Sequence, residues 1–304
     1  MDRRRIPNTE LKVSPLCLGT MTFGTPVGEA QAIELTHWAI DHGINFIDTA
    51  NMYEGYKRTI GSPGGVAETI LGQALRGRRE QVVLATKVGM KIGPTEGDEG
   101  LRRQHVQREI DRSLQRLQCD YVDIYYMHKP DPHTPLAESV QTFDELVQAG
   151  KIRYWGVSNW DTGQLADLLA VCDENGWRRP VVHQPPYSLL RREVEADLLP
   201  FCQREQIAVV PYQVLQGGLL TGKYRRDQAP PPGSRGAEKP NWVWELTDDL
   251  FDRLEQLERE ARSRGRTLLQ HAILSVLEQP AVVSVILGAK RSEQIQAAID
   301  CLGR

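Results

Sequence analysis

The sequence predicts an α/β protein, a (β/α)8 TIM barrel with a short N-terminal hairpin, in a single domain spanning residues 1–304. Eight short apolar runs alternate with helical patterns along the chain. The runs are nearly continuous in valine and isoleucine, which is typical of parallel strands buried on both faces. Eight such units in 304 residues fit a closed barrel better than an open doubly wound sheet or two smaller domains.

The predicted strands alternate with stretches of helical periodicity. In chain order the strands are residues 12–20, 44–50, 81–88, 121–128, 152–159, 181–184, 207–213 and 282–289. Helices are predicted at 29–42, 66–77, 106–117 and 136–147, after the capping-box pair Asp161 and Gln164, at 191–205 and at 295–302. The long connection at 222–246, which contains two tryptophans and a PPPG run, is predicted to be a lid.

Composition makes several classes of function improbable. A net charge of −3 gives no basic surface for nucleic acid or an anionic membrane, so the expected partner is a small molecule. No apolar run approaches the roughly 18 residues of a membrane span, and the basic start MDRRRIPNTE is not followed by the apolar segment of a secretion signal. The five cysteines form no CxxC pair, which favours reduced thiols and a cytoplasmic protein.

Six of the eight predicted strands end on polar residues, more than packing requires. These residues are Asp48, Lys87, His128, Ser158 with Asn159, Gln184 and Tyr212, and Tyr53 lies five positions beyond Asp48. Because parallel neighbours end at the same edge of a barrel, we expect these side chains to meet in space. Taken singly, Asp48 also fits a turn or helix cap, Lys87 a surface lysine and His128 a loop histidine. Their joint placement predicts a catalytic site.

An ammonium group beside a phenol makes the phenol a better acid. Tyrosine has an ordinary pKa of about 10, which gives little drive for proton donation near neutrality. A lysine charge about 4 Å away contributes roughly 4 kcal/mol at an effective dielectric of about 20. Lys87 is therefore predicted to lower the pKa of Tyr53 by up to about three units, less the effect of burial. Asp48 is the expected counter-ion of Lys87, and His128 is expected to hydrogen-bond a substrate oxygen or relay a proton.

At these residues the chain resembles the aldo-keto reductase superfamily, over nearly its whole length. The shared segments, in order, are LCLGTMTFG, GINFIDTA with the tyrosine of NMY, ETILGQAL, LATK, LQCDYVDIYYMHKPD, GKIRYWGVSN, GGLLTGKY and LGAKRSEQI. The resemblance implies hydride transfer from NADPH to an aldehyde or ketone, without a metal or a flavin. It implies a catalytic tetrad of Asp48, Tyr53, Lys87 and His128, with Tyr53 as the general acid.

The same resemblance implies a set of cofactor-binding residues. Ser158, Asn159 and Gln184 would hold the nicotinamide carboxamide, and Tyr212 would stack on the ring. The other implied positions are Gly19, Thr20, Met21, Asp48, Gln213, Leu215, Gly217, Gly218, Lys223, Gly288, Lys290, Arg291 and Gln294.

The expected preference for NADPH over NADH has a separate physical basis. Lys290 and Arg291 precede the last predicted helix, which begins near Ser292, and a helix N-terminus with two cations suits a phosphate. The alternative is an ordinary serine N-cap with solvated charges. Neither GxGxxG nor GxxxxGK[ST] occurs, so a Rossmann or P-loop nucleotide site is not expected.

Three departures from the family bear on the cofactor and the pocket. Residues 212–215 read YQVL where relatives have YSPL, Ala298 stands where many members have asparagine near the adenine, and 57–65 is an insertion. The substrate is predicted only as a small aliphatic or aromatic carbonyl compound. The predicted pocket walls are Phe23, Tyr56, Met90, Trp160 and Trp242.

Two other functions remain as alternatives. The potassium-channel β subunits, which are similar to this family, bind NADPH as redox-sensing subunits with slow turnover. The chain shares with them KPDP at 129–132 and a helix start at 100–105. The tetrad does not separate the two functions, and the lack of a long N-terminal extension is expected to favour the enzyme. A metal-dependent barrel hydrolase or isomerase would need clustered ligands, and only His128 and His183 qualify, so no metal is expected.

Overall fold

The computed structural model describes residues 1–303 and has the predicted architecture. Two short antiparallel strands, β1 (Arg4–Arg5) and β2 (Lys12–Val13), form the N-terminal hairpin. Within the described residues, eight parallel strands then form one sheet in the order β10, β3, β4, β5, β6, β7, β8, β9. Their bounds are β3 Leu16–Gly19, β4 Phe46–Asp48, β5 Val83–Val88, β6 Val122–Met127, β7 Ile152–Ser158, β8 Val182–Gln184, β9 Ala208–Val209 and β10 Val285–Gly288.

Hydrogen bonds between β9 and the segment that leads into β10 close the sheet on itself. The Val209 amide donates to the Ala281 carbonyl at 2.8 Å, and the Val283 amide donates to the Val209 carbonyl at 3.0 Å. One step further along, the Ile286 amide donates to the Pro211 carbonyl at 2.9 Å. The predicted (β/α)8 barrel with an N-terminal hairpin is therefore confirmed.

Helices follow the strands and cover the sheet from outside. The helices are α1 Glu29–Asp41, α2 Val66–Ala74, α3 Arg103–Leu117, α4 Leu136–Gln148, α5 Thr162–Asn175, α6 Leu198–Arg204, α7 Arg235–Glu238, α8 Asp248–Ser263, α9 Leu268–Leu277 and α10 Ser292–Asp300. Short 3₁₀ segments occur at Gly55–Lys57, Arg79–Gln81, Glu96–Asp98, Glu193–Glu195, Gln216–Thr221 and Pro240–Trp242. The predicted capping box at α5 is confirmed, because the Asp161 carboxylate accepts from the Gln164 amide at 2.8 Å.

All eight barrel strands are shorter than predicted, and in two of them proline accounts for part of the difference. The strand predicted at 12–20 divides at Pro15, which has no N–H to donate. The part before it, β2, pairs with β1 in the hairpin, and the part after it, β3, pairs with β10 in the barrel. The strand at 207–213 shrinks to β9 because Pro211 interrupts the ladder and Gln213 adopts a left-handed φ of 58°.

Two helical predictions also change. The helix predicted at 191–205 is a 3₁₀ turn at Glu193–Glu195 followed by the short α6, because Arg191 forms a β-bridge with Ser188 and Asp197 caps the Leu198 amide. The helices α8 and α9, between β9 and β10, were not predicted.

One apolar layer lies on each side of the sheet. The interior of the barrel is filled by a cluster that includes Cys17, Phe46, Ile124, Tyr126 and Val182. A larger cluster lies between the strands and the surrounding helices. The interior cluster fills the barrel below the carboxyl ends of the strands, so polar side chains at those ends lie directly above apolar side chains.

The five cysteines are free thiols, and four of them are buried. Among residues 1–303, no helix is long and apolar enough to cross a membrane. The same residues contain no cluster of three or more His, Cys, Asp or Glu side chains suited to a metal ion.

The contact between α2 and α3 allows a stability prediction. A Cβ atom at Gly72 would lie 2.2 Å from the Arg116 carbonyl oxygen, so Gly72→Ala should push the two helices apart. We expect the free energy of unfolding to fall by about 1–3 kcal/mol in urea denaturation. The matched control is Gly163→Ala on α5, where the nearest atom is 3.4 Å away and alanine should stabilise the helix by about 0.5–1 kcal/mol. Equal effects of the two changes would contradict this account.

Candidate active site

The register of the sheet brings the predicted catalytic residues to one edge. Asp48, the last residue of β4, lies between Gly19 on β3 and Ala85 on β5. Lys87 is near the end of β5, and His128 follows β6, with its amide donating to the Val88 carbonyl at 2.8 Å. These positions all lie at the carboxyl edge of the barrel, where barrel enzymes place their reactive groups.

Lys87 is the centre of the site. Its side chain is fully buried, and its ammonium nitrogen donates to the Asp48 carboxylate in a short ion pair. The same nitrogen donates to the Thr49 carbonyl at 2.8 Å and to the Tyr53 hydroxyl at 3.2 Å. The three donors of the ammonium group thus have three partners, which fix the positions of the acid and the phenol relative to one another.

The His128 imidazole packs against the Tyr53 ring. The rings of Tyr53 and His128 are 6.1 Å apart at 81°, an edge-to-face arrangement. Burial, with the nearby charges of Lys87 and Lys129, lowers the pKa of the His128 imidazole well below its usual value. A neutral imidazole carries one N–H donor and one acceptor nitrogen. Nδ1 is buried and has no hydrogen-bond partner among residues 1–303.

The Lys87 ammonium keeps its charge in spite of its burial. Burial lowers the pKa of Lys87, but the charges and hydrogen bonds of Asp48 and Tyr53 outweigh it, so the pKa is raised overall. Burial raises the pKa of Asp48, and its contacts with Lys87 and Gln184 offset part of that rise. The Gln184 amide nitrogen donates to the second Asp48 oxygen at 2.9 Å, so both carboxylate oxygens have donors.

Lys87 acts on the pKa of Tyr53 in the expected direction, but burial has the larger effect, so the phenol does not become more acidic than an ordinary tyrosine. Burial raises the pKa of the Tyr53 phenol, the Lys87 ammonium offsets part of the rise, and the Asp48 carboxylate adds to it. The net direction is upward because desolvation disfavours the phenolate more than one ammonium group stabilises it. Tyr53 therefore holds its proton at neutral pH.

A second group of polar residues lies beside the tetrad. The Ser158 hydroxyl donates to the Gln184 carbonyl at 2.8 Å, and the Asn159 amide donates to the His128 carbonyl at 2.9 Å. The Tyr212 hydroxyl donates to the Asn159 side-chain oxygen at 2.7 Å. Asn159 has a left-handed φ of 65°, uncommon for a side chain other than glycine, so its position is held by these bonds. The structure thus brings together the residues expected to hold the nicotinamide.

Four cations gather where the phosphates are expected. Burial lowers the pKa of Lys223, and the charges of Lys290, Arg235 and Arg291 lower it further, so these three cations lie within electrostatic reach of Lys223. Glu238 is the acid that opposes this effect, and it forms an ion pair with Lys290. A cluster of cations with one acid to balance them suits a polyanionic ligand.

The loop between β9 and the lid has the shape of an anion cradle. Gly217 and Gly218 have left-handed φ values of 65° and 98°, and a Cβ at Gly218 would lie 2.5 Å from the Lys223 nitrogen. The neighbouring Gln216 is buried, and its amide nitrogen has no hydrogen-bond partner among residues 1–303. An unpaired buried donor beside glycines and cations fits a phosphate group.

The remaining predicted cofactor residues lie at nearby strand and helix ends. Gly19 and Gly288 end β3 and β10, which pair with each other, and Thr20 and Met21 follow β3. Leu215 and Gln213 precede the 3₁₀ turn at Gln216–Thr221, and the Gln294 side chain accepts from the Lys290 amide at 2.7 Å. Ala298, one of the departures from the family, is buried in the outer core and offers no polar contact.

The predicted lid folds over the barrel edge. The Tyr56 and Trp242 rings are 5.4 Å apart, and the Arg235 guanidinium donates to the Tyr56 hydroxyl at 3.3 Å. Lys290 also donates to the Gly233 carbonyl at 2.8 Å. Residues 233–242 thus join the end of β10 to the loop after β4.

Sequence reasoning missed Arg235 and Gln216 as site residues. Arg235 is the first residue of α7, a four-residue helix in the lid whose start at Ser234 was not recognised. The only signal in the sequence was the S-R pair after the PPPG run. Gln216 carries no motif signal, and its importance follows from its burial.

Comparisons with known proteins agree with this geometry. The profile of the Aldo/keto reductase family matches residues 15–303. A protein described as "Probable voltage-gated potassium channel subunit beta" from Arabidopsis thaliana is 35% identical, over 97% of this chain and 89% of its own. "Aldo-keto reductase YhdN" of Bacillus subtilis is 32% identical, over 100% and 89%. "L-glyceraldehyde 3-phosphate reductase" of Escherichia coli is 33% identical, over 99% and 88%.

Proposed function

Because the chain belongs to the aldo/keto reductase family, we propose that it is an NADPH-dependent oxidoreductase that reduces an aldehyde or ketone to the alcohol, with Tyr53 as general acid. The oxidoreductases among its relatives support the general class of reaction. The observation that carries the proposal is the buried Lys87 nitrogen, which is paired with Asp48 and lies 3.2 Å from the Tyr53 hydroxyl.

The residues present fit a dinucleotide phosphate. Lys223, Arg235, Lys290 and Arg291 would hold its phosphates, with the Gly217–Gly218 turn allowing close approach of the backbone. Ser158, Asn159 and Gln184 would hold the carboxamide, and Tyr212 would cover the ring. When bound, NADPH supplies the hydride that adds to the carbonyl carbon of the substrate.

The chain's own part in the reaction is proton transfer. As the carbonyl oxygen gains negative charge, the Tyr53 hydroxyl is placed to give it a proton. An alkoxide is a far stronger base than a phenolate, so this transfer is downhill even with the pKa of Tyr53 raised. The Lys87 ammonium then stabilises the phenolate that remains, and a neutral His128 can donate its N–H to the same substrate oxygen.

A direct assay tests the function. NADPH absorbance should fall when the purified protein is mixed with members of a panel of aldehydes and ketones, and NADP⁺ with alcohol should form. A second candidate, a redox-sensing subunit that binds NADPH and turns over slowly, is supported by the similarity to the Arabidopsis thaliana protein. Tight NADPH binding without consumption across the panel would favour that candidate over the reductase.

The cation pair before α10 gives a prediction about cofactor choice. Replacing Lys290 with methionine and Arg291 with alanine should raise the Kd for NADPH by about 10- to 100-fold, because one or two charge-assisted bonds to the 2′-phosphate are lost. The Kd for NADH should change by less than about threefold. Fluorescence titration measures both constants. Lys239→Met, which removes a nearby lid cation that lies over the Trp242 ring, is the control and should change neither. Equal weakening for both cofactors would contradict a role in reading the 2′-phosphate.

A further inference from the structure

Behind the catalytic edge, two acidic side chains are buried between the barrel and its helices. Glu68 on α2 and Glu109 on α3 are both fully buried, and neither belongs to the tetrad. Burying a carboxylate is costly unless it has cations and hydrogen-bond donors around it. Their partners therefore show what these two groups hold in place.

Glu68 holds the strand that carries Lys87. One Glu68 oxygen accepts from the Thr86 hydroxyl at 2.6 Å, and the other accepts from the Arg116 guanidinium on α3 at 2.7 Å. Side chains alternate along a strand, so Thr86 points to the helices while Lys87 points into the barrel. The hydrogen bond from Thr86 to Glu68 therefore fixes the position of the strand, and with it the position of the Lys87 ammonium group inside the barrel.

Glu109 holds the loop that carries Tyr53. It accepts from the Asn51 side-chain nitrogen at 3.3 Å and from the Arg112 guanidinium at 2.9 Å. Asn51 is fully buried, and its backbone amide donates to the Lys87 carbonyl at 3.2 Å. Because Asn51 is two residues before Tyr53, its side-chain bond fixes the turn that brings the phenol back over the end of β5.

The two carboxylates belong to one buried cluster. Burial and the charges of Glu68 and Glu109 raise the pKa of Tyr125 well above its usual value, which places this phenol within reach of both. The balancing cations are Arg108 and Arg112 for Glu109 and Arg116 for Glu68, and their spacing of four residues places them on the same face of α3. Two neighbouring helices, α2 and α3, thus support both halves of the catalytic pair from outside the sheet, with the cations supplied by α3.

We propose that Glu68 and Glu109 are positioning residues, which hold Lys87 and Tyr53 in contact by fixing Thr86 and Asn51 from the helix side of the sheet. The inference rests on the proposed reductase function. It differs from a role in folding alone, because it requires that loss of either carboxylate contact slows the chemical step while cofactor binding is kept.

The test compares each contact with a matched contact on α4, on another part of the barrel wall. Glu109→Leu is compared with Asp144→Leu, since Asp144 is also buried and paired with an arginine, Arg178. Thr86→Val is compared with Thr142→Val, since the Thr142 hydroxyl is also buried and donates within the protein, to the Glu138 carbonyl at 2.7 Å. Each variant is assayed for carbonyl reduction, NADPH binding and thermal stability.

We expect Glu109→Leu and Thr86→Val to lower kcat by about 10- to 100-fold, since a displacement of about 1 Å at a reacting group can cost that much. The Kd for NADPH should stay within about threefold of the parent value. The two α4 controls should lose stability but keep kcat within about threefold. Glu109→Gln retains an oxygen that can accept from Asn51, so its kcat should lie nearer the parent value than that of Glu109→Leu. If the α4 controls lose kcat equally, the proposal is overturned.

Crystal structures of the two single variants, Glu109→Gln and Thr86→Val, test this inference separately from the proposed function. In Thr86→Val the Tyr53 oxygen should lie farther from the Lys87 nitrogen than the 3.2 Å of the parent. In Glu109→Gln that distance should be kept. An unchanged distance in Thr86→Val would overturn the positioning role even if the parent protein reduced none of the carbonyl compounds tested. The proposed reductase function is tested separately, by whether the parent protein reduces carbonyl compounds with NADPH.

Discussion

Replacing Tyr53 with phenylalanine is expected to lower kcat for carbonyl reduction by about 10²- to 10⁴-fold, the usual contribution of a general acid. The change removes one hydroxyl group and leaves Lys87 with its bonds to Asp48 and Thr49, so the fold should be kept. The Kd for NADPH should change by less than about threefold, because the groups expected to bind it are untouched. Steady-state rates and fluorescence titration measure the two quantities.

The control for this change is Tyr154→Phe, which also removes a phenol hydroxyl. Tyr154 lies near the start of β7, and its hydroxyl contacts the Glu10 amide at 3.4 Å, away from the carboxyl edge. The Tyr154→Phe change should leave kcat for carbonyl reduction unchanged. Unimpaired turnover in Tyr53→Phe would remove Tyr53 from the role of acid.

Replacing Lys87 with methionine is expected to have the largest effect on stability. The Asp48 carboxylate would be left buried without its cation, and breaking a buried ion pair in this way costs about 3–5 kcal/mol. Urea denaturation should show that loss in the free energy of unfolding. Thr49 would also lose the donor to its carbonyl, so the loop before Tyr53 should loosen.

The double variant Asp48→Asn with Lys87→Met is the control for that prediction. It removes both charges, so it should recover much of the stability lost in Lys87→Met. A double variant as unstable as the single one would show that the buried carboxylate is not the source of the loss. Whatever its stability, the Asp48→Asn, Lys87→Met variant should be a poor catalyst, because Tyr53 would have no cation beside it.

Sequence reasoning succeeded where one rule connects residue type to position. Eight apolar runs predict a closed parallel barrel, and the polar residues that end them predict its carboxyl edge. Asp48, Lys87 and His128 all lie at that edge in the structure. The lid at 222–246 was likewise indicated by its length and composition, and residues 233–242 do fold over the edge.

The rest depended on quantities that a sequence does not contain. The direction of the Tyr53 pKa follows from a balance between burial and the charges of Lys87 and Asp48, and that balance depends on the three-dimensional arrangement. Arg235 joins the cation cluster only because a short helix in the lid points it there. Glu68 and Glu109 were not singled out from the sequence, since nothing in a helical pattern shows which acidic side chain faces the sheet, and both are buried in the structure.

The central claim is that Lys87 acts on the reaction through Tyr53, and a double-mutant cycle on kcat tests it most directly. Single-turnover reduction is measured for the parent, Tyr53→Phe, Lys87→Met and the double variant, at a temperature where all four are folded. We predict that Lys87→Met slows the parent by at least about 100-fold but slows Tyr53→Phe by less than about threefold. Equal slowing in both backgrounds would show that the ammonium group acts independently of the phenol, and would contradict the account.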